Sequence, residues 1–599
     1  MKKKVKKLAS VILALAIILS STTIITASAG TSPIARVGIS ALGGIVKGVI
    51  GGLNALIPDN KNFGKVSEHS TENFYSGTDD FKSSADDNAK WKLGYCKNSL
   101  IPEDVLEGEY YLGGFMSGQN GMKNKVEEVV GGMDVRAIAL DDSSDRGVTV
   151  FANIDCIGLS NGDIKAIREL VAKKLPNVKF TSINISSTHC HSCIDTQGLW
   201  TNLFPKLLKN LAKSYVRADM ERGVNTEYIE GFFYEAVSNA IISAATNMKE
   251  GTLKVAKKEL NSGYFNNKNR KSASALITEM TRLTFIPDDE TIRPTMLVNV
   301  AGHPDVTGLA VDKVDNGRQL SGDYVTYMQE TVEEGGYNFM FIQGPIAGIY
   351  MGRGLTNDDV DTNPDRRYMQ SVRYGAELGK IALYLTNTVD EIEADYQNNH
   401  PEDWAALQAD IKNHNDKVAA GKSSESSYTL WYKDWTPTTE TVVSPVLNIR
   451  LKEVKVEVTN PLILLVGKLN LANYAVCKDG LKYYIFVEIG YCEIGNLKFV
   501  MMPGEICQDL VAGGTSLTAE GSFSGKDFGL PSIYEIFGED TVCFGLMNDA
   551  IGYVVPDNDY TSGLVDEHYH ELLSLGKTEA SSIMQGFVEL HESLKRQPS

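Results

Sequence analysis

Hydrophobic and polar positions fall into a regular rhythm only from about Trp91 onward. Val148 to Ile154 is an apolar run of strand length. Gly162 to Lys174 then places Ile164, Ile167, Leu170 and Val171 at helical spacing with lysines at the end, and Phe180 to Ile185 is a second apolar run. Strand, helix and strand in that order predict a parallel pair joined by a crossover helix. Further along, the pattern predicts helices over Tyr228 to Met248, Tyr324 to Glu334 and Ser371 to Glu391, with strands over Pro294 to Val300 and Phe339 to Ile342. His400 to Ser444 is polar and reads as an irregular insertion. Val446 to Leu469 predicts antiparallel strands, most plainly in Leu451-Lys452-Glu453-Val454-Lys455-Val456-Glu457-Val458. Phe499 to Met502 and Val542 to Leu546 predict short strands. The fold class that follows is α/β: a mixed, largely parallel β-sheet core flanked by helices.

The start of the chain differs. Lys2, Lys3, Lys4, Lys6 and Lys7 precede the apolar stretch Leu8 to Leu19, and Ala27-Ser28-Ala29 is a small-x-small cleavage pattern. Residues 1–29 therefore read as a signal peptide cut after Ala29, and the protein as secreted or cell-surface. Residues 30–90 read as a poorly structured segment, rich in Asn, Ser, Asp and Gly over Asn60 to Asp87. It includes a glycine-rich apolar run, Val37 to Ile57, broken by Lys47. That run is long enough to span a bilayer but weak in helix propensity, so it reads as a surface-seeking or packing segment and a candidate for peripheral membrane contact. Residues 91–575 form the main domain, with the insertion at about 400–444, and 576–599 a C-terminal helix or tail.

Composition narrows the choices. With 43% hydrophobic and 22% charged residues in 599, the chain is globular rather than disordered or collagen-like. Net charge is -18; without the five lysines of the first 29 residues, 53 basic residues face 76 acidic ones, a net of -23. Such a balance argues against a nucleic-acid partner, which needs a basic face. Eight scattered cysteines make no disulfide framework and read as small buried hydrophobes.

Residues suited to chemistry sit just after predicted strands. His189-Cys190-His191 follows the run that ends near Ile185; in extended chain, positions i and i+2 share a face, so both imidazoles could serve one metal, or one could bind while the other moves protons. His303 follows Met296 to Val300, Glu505 lies in a Pro503-Gly504-Glu505 turn after Phe499 to Met502, and Tyr553 follows Cys543 to Leu546. At strand carboxyl ends such groups can share one site, and two or three His with a Glu suit Zn²⁺. Each has a bland counterpart: a hydrogen-bonded loop histidine, a first-turn helix acid, a half-buried tyrosine. Cys190 and Cys193 have no second pair to complete a closed zinc site, and His568 and His570 form a further HxH in a polar stretch.

Taken in order, these motifs resemble the catalytic domain of the neutral/alkaline (non-lysosomal) ceramidase family. The resemblance runs from about Trp91 to about Leu575. It rests on Gly94-Tyr95-Cys96 through Pro102, Gly113-Gly114-Phe115, Arg136 to Leu140, Val150 to Asp155 and Ser187-Thr188-His189-Cys190-His191-Ser192. It continues in Asn269-Arg270, Asn299 to Pro304 with Ser321-Gly322-Asp323-Tyr324, Pro503-Gly504-Glu505, and Asn548-Asp549 through Gly552-Tyr553. The resemblance implies zinc held by His189, His303, Glu505 and Tyr553, with His191 beside it handling protons. It implies that Arg270 holds a substrate oxygen or the developing oxyanion, and that Tyr560 or Tyr569 is a second active-site tyrosine. The implied reaction is hydrolysis of the N-acyl amide of a ceramide-like lipid by zinc-activated water, giving a sphingoid base and a fatty acid. A tyrosine ligand makes sense only beside a cation, because its free pKa near 10 must fall.

Departures bear on substrate. Gly344 to Tyr350 lacks the serine and aspartate of the family's Gly-Asp-x-Ser-Pro stretch, Cys193-Ile194-Asp195 replaces the usual Gly-Pro, and the chain ends soon after Glu571 without the β-sandwich of longer members. Two alternatives follow: a zinc hydrolase of another N-acyl or ester substrate, and a non-catalytic exported binding protein on the same fold.

Overall fold

The computed structural model describes residues 48–596 apart from 115–123, 202, 269–272, 308–317, 353–367, 423–431, 433 and 562–565. The expected signal peptide and most of the Val37 to Ile57 run lie outside the described residues.

Two sheets carry the core. The wider runs from Asn338–Gln343 through Thr295–Val300, Glu279–Pro287, Lys249–Glu259, Trp91–Ser99, Asp134–Asp141 and Val148–Ile154 to Phe180–Ser187, with Thr441–Val442 paired to Lys249–Glu259. The second runs from Gly64–Lys65 through Cys477–Asp479, Lys482–Ile494 and Leu497–Met501 to Val542–Phe544, with Leu447–Glu457 also on Lys482–Ile494.

Period-two alternation explains how they stack. Ile138, Leu140, Leu283, Phe285, Leu297 and Met340 of the wide sheet meet Leu447, Ile449, Cys492, Ile494, Phe499 and Met501 of the second. The intervening positions point the other way. Met296, Val298 and Val300 pack on helices Tyr324–Glu334 and Tyr368–Leu383. Ala137, Ala139, Val150 and Ile183 pack on Asn161–Lys174 and Tyr234–Thr246. Val454, Val456, Ile485 and Val487 pack on Glu579–Ser593. The result is four layers: helices, sheet, sheet, helices. Strands buried on both faces read as continuous apolar runs, which is why Val148–Ile154 and Thr295–Val300 stand out in the sequence.

The mixed α/β class with flanking helices is what the structure shows. Val148–Ile154 and Phe180–Ser187 are parallel, joined by helix Asn161–Lys174, which Ser160 caps by accepting from the Asp163 amide. Thr295–Val300 and Asn338–Gln343 are parallel too. Between these flanks the strands are antiparallel, so the parallel share of the sheet is smaller than the pattern suggests. Loops as short as 142–147 and 288–294 can only return the chain antiparallel.

Four elements differ from expectation. Ser371 to Glu391 falls in two helices, Tyr368–Leu383 and Val389–Asn399, because Thr388 caps the start of the second. Tyr228 to Met248 is a π-helical turn, Glu227–Phe233, followed by Tyr234–Thr246. Pro401–Ala419, expected to be irregular, is a helix with proline at its start; Trp404 is among its few apolar anchors, so apolar periodicity is faint. Leu447–Glu457 is a strand as expected, but Pro461–Lys468 is a helix, capped by Asn460 accepting from the Leu462 amide. Residues 58–90 have little regular structure yet are tied down: the Thr78 amide donates to Ile449 O at 2.7 Å, and Phe81 is buried. All eight cysteines are unpaired, and all but Cys96 are buried.

One buried ion pair joins the layers. Arg168 on Asn161–Lys174 donates to both oxygens of Glu488 on Lys482–Ile494, at 2.8 and 2.9 Å, and its Nε donates to Ile183 O at 2.9 Å. Both side chains are fully buried. Removing one partner strands a charge in the interior. Arg168→Met should therefore lower stability by about 3–5 kcal/mol in denaturant unfolding, and adding Glu488→Leu should recover part of that loss. If the double variant loses as much as the two single variants combined, the pair is not coupled.

Candidate metal centre

The site forms where several strands end, and Gln343 gathers them. Its side chain is fully buried at the end of Asn338–Gln343. Its Nε2 donates to Thr188 O at 2.9 Å and to Gly302 O at 2.8 Å, while its Oε1 accepts from the Gly302 amide at 3.2 Å. Its own carbonyl accepts from the Gly545 amide at 2.8 Å. One glutamine thereby fixes the residues before His189 and His303 and joins them to the segment leading to Tyr553.

Phe180–Ser187 ends two residues before His189, which sits at φ 64° rather than extended. The backbone bends there, yet the rings of His189 and His191 still meet, with centroids 4.9 Å apart. The His303 ring lies 5.0 Å from His189 and 5.8 Å from His191. One ligating nitrogen from each of these three residues lies within 4.8 Å of the others, so the cluster could hold a metal ion. His189 and His303 are buried, and His191 is half-buried. Gly114 fits against His191 at φ +109°; a Cβ there would fall 2.5 Å from the ring.

Glu505 completes the donor set. Gly504 turns at φ +76°, where a Cβ would meet Gly552 O at 2.5 Å, and the Glu505 amide donates to that same oxygen at 2.8 Å. The short parallel ladder this starts pairs Glu505 directly with Tyr553. The carboxylate faces both rings: Oε2 lies 3.0 Å from His303 Nε2, and Oε1 lies 3.3 Å from His189 Nε2.

Proton accounting makes this arrangement informative. His189 Nδ1 faces Ile157 O at 2.8 Å, and His303 Nδ1 faces Ile349 O at 2.8 Å. A carbonyl only accepts, so both Nδ1 atoms carry the proton. In neutral rings each Nε2 then presents a lone pair to an anionic oxygen. Either an extra proton on a ring or a cation must lie between them. The 3.3 Å at His189 matches donors about 2.0–2.1 Å from a tetrahedral ion, which lie about 3.3 Å apart, whereas the 3.0 Å at His303 is also the length of a hydrogen bond from a protonated ring. The backbone carbonyls also anchor the rings as outer partners of metal-bound histidines do.

In the bare site the carboxylate and the imidazoles shift one another as a proton-sharing set. Burial would lift the Glu505 carboxyl, but His189 and His303 outweigh it and hold it well below the usual carboxylate range. Burial would lower His303, yet Glu505 raises it above the ordinary imidazole value. Burial, with the charges of His189 and His303, holds His191 well below that value. Burial, then Glu505, pushes the Tyr553 phenol well above 10.

The expected site residues are placed as follows. His189, His191, His303 and Glu505 converge. Tyr553 is buried beside them, opposite Glu505, with its hydroxyl 3.5 Å from that of Tyr569. Tyr569 also reaches the Tyr350 hydroxyl at 2.7 Å. Tyr560 lies elsewhere, its hydroxyl donating to Glu571 O at 3.3 Å. His568 faces Glu571 and His570 stacks on Tyr553, so that HxH forms no cluster of its own. Arg270 lies outside the described residues; Ser274 and Ala275, just after it, donate their amides to buried Asp509 at 3.0 and 2.7 Å. Sequence reasoning missed Gln343 and Tyr350. Tyr350 stacks on His303 with centroids 4.7 Å apart, within the stretch noted only for lacking a serine and an aspartate. The signal for Gln343 is a polar residue closing the apolar run Phe339-Met340-Phe341-Ile342.

No protein-family model matches the chain, and no curated protein sequence matches it. Solved structures do. The neutral ceramidase from Pseudomonas aeruginosa superposes with a TM-score of 0.54 at 15% identity, over 86% of this chain and 76% of that one. A structure described as ceramidase complexed with C2 gives a TM-score of 0.51 at 13% identity, over 86% of this chain and 77% of that one. The fold of this chain is ceramidase-like.

Proposed function

We propose that the protein is a secreted or cell-surface zinc amidohydrolase that cleaves the N-acyl amide of ceramide-like sphingolipids to a sphingoid base and a fatty acid. The observation that supports this most is the meeting of two lone-pair nitrogens with one buried carboxylate inside a ceramidase-like fold. Nitrogen and oxygen donors of this kind suit Zn²⁺. His189, His303 and Glu505 would hold the ion, with Tyr553 as the fourth protein ligand. When bound, zinc supplies Lewis acidity toward the amide carbonyl and a water acidic enough to ionise near pH 7, against about 15.7 in bulk.

The chain's own residues do the rest. The carbonyls of Ile157 and Ile349 keep His189 and His303 in the tautomer that presents Nε2. His191 lies within the cluster but is held neutral, so its ring can take a proton from the attacking water and pass it to the departing amine. Without that proton the amine is a very poor leaving group. Arg270, assigned by the family resemblance, would hold the oxyanion. Tyr569 stays protonated because burial raises its phenol, so it can donate to a substrate oxygen.

Metal analysis of the purified protein should find one zinc. His303→Ala should lose most of it, whereas His191→Ala should keep it and lose about 10²–10⁴-fold in turnover. A fully active His191→Ala would refute the proton-transfer role. Tyr569→Phe should lower kcat about tenfold or more, while Tyr560→Phe should stay within about twofold; the reverse order would give the role to Tyr560. Fatty-acid release from ceramide should exceed release from other acyl amides and from esters. A silent ceramide reaction beside a live alternative retires the substrate, and zinc without any turnover supports a binding protein instead.

A further inference from the structure

Away from the site, two adjacent helices carry apolar residues on their outward faces. In the helix over 48–56, Ile50 and Leu53 point inward, and Ile57 just beyond its end joins them against Leu211, Leu469 and Leu471. The outward positions are Gly48, Val49, Gly52, Ala55 and Leu56, without a charge among them. A Cβ built on Gly48, Gly51 or Gly52 meets nothing within 4 Å, so this side is open among the described residues. Helix Leu203–Val216 buries Asn210, Leu211 and Ser214 and presents Leu208, Ala212, Tyr215 and Val216, spaced i, i+4, i+7 and i+8. The two helices touch: Tyr215 donates its hydroxyl to Leu56 O at 3.0 Å. Leu56 is 65% exposed and Val216 68% exposed. A surface helix normally turns its polar face to water; here both outward faces are apolar, and together they form one patch.

Charge selects the occupant. Helix Leu203–Val216 contains Lys206, Lys209 and Lys213 and no acid, with Arg217 directly after it, in a chain of net charge -18. Lys209 and Lys213 share the carboxylate of Glu221, and Asp219 pairs with Lys61, so Lys206 and Arg217 leave the rim positive. A second copy docked by a two-fold axis would set this basic rim against itself. In the sequence, Lys47 directly precedes helix 48–56, and the ten residues before it, Val37 to Val46, carry no charge. An apolar face rimmed by lysines and bearing a tyrosine matches an interfacial amphipathic surface. We propose that helix 48–56 and helix Leu203–Val216 form a peripheral docking face for an anionic lipid bilayer. The surface does not depend on which lipid the active site hydrolyses.

Vesicle flotation tests it with the full chain, and again with the chain starting at Gly30, so that the apolar stretch Leu8 to Leu19 cannot supply the affinity. Vesicles of phosphatidylcholine with phosphatidylglycerol should carry the protein. Phosphatidylcholine alone, or added salt, should weaken binding. The triple variant Leu56→Gln, Leu208→Gln, Val216→Gln should lose about tenfold or more in vesicle affinity. Its thermal midpoint and zinc content should stay at the parent values, because all three side chains are exposed. Three results overturn the proposal: unchanged vesicle binding in the variant, a parent dimer that the variant turns to monomer in vesicle-free solution, or new protease sensitivity at residues 30–47 in the variant without vesicles. The second would mean that another copy covers the face, and the third that the preceding segment does. Because phosphoglyceride vesicles are not the proposed substrate, failure here leaves the amidohydrolase reading standing, and the reverse also holds.

Discussion

Everything at the metal centre depends on distant strand ends being held together, and the Gln343 side chain does this. Asn338–Gln343 and Phe180–Ser187 stand at opposite ends of the wide sheet. Followed along the ladder, they run in opposite senses, which by itself would separate their carboxyl ends. Coiling removes the difficulty: the twisted sheet bends round until Asn338–Gln343 lies against Phe180–Ser187. The carboxyl ends of the two parallel pairs can then point to one place. Gln343 locks that meeting with bonds to Thr188 and Gly302, one residue before His189 and His303. A buried amide with its donors and acceptor all engaged fixes position more tightly than apolar contact could, because no other register satisfies it.

Much of this is readable in the sequence, for reasons that can be named. Strands buried on both faces give apolar runs, so Val148–Ile154 and Thr295–Val300 announce themselves. The polar residues just beyond such runs are the natural candidates for chemistry, and His189, His303, Glu505 and Tyr553 all lie there. The sense of the middle strands is less readable, because pairing direction is set by loop length and by partners far away in the chain. Proximity in space is not readable either. Tyr560 and Tyr569 are nearly equivalent by spacing, and only the packed chain puts Tyr569 beside Tyr350 and Tyr553 while turning Tyr560 to Glu571. Tyr350 escapes because its role is to lie flat on His303, which no local pattern signals.

The two-strand ladder that pairs Glu505 with Tyr553 sets the last constraint. In the bare site this pairing works against a phenolate, since burial and the Glu505 charge both keep the Tyr553 proton in place. A carboxylate so near Tyr553 opposes ionisation of the phenol when it acts alone. A divalent cation held there would reverse the sign, neutralising Glu505, adding a positive field at the phenol and taking the place of the protons that the two imidazoles otherwise need. The same three groups, which share a proton in the bare site, would then share one centre. The site is thus built as an incomplete electrostatic set, in which His189, His303 and Glu505 are each anchored by backbone so that they cannot relax away from one another. An arrangement held in that way keeps its groups poised, and ionisation of Tyr553 would be a consequence of filling the centre rather than a condition for it.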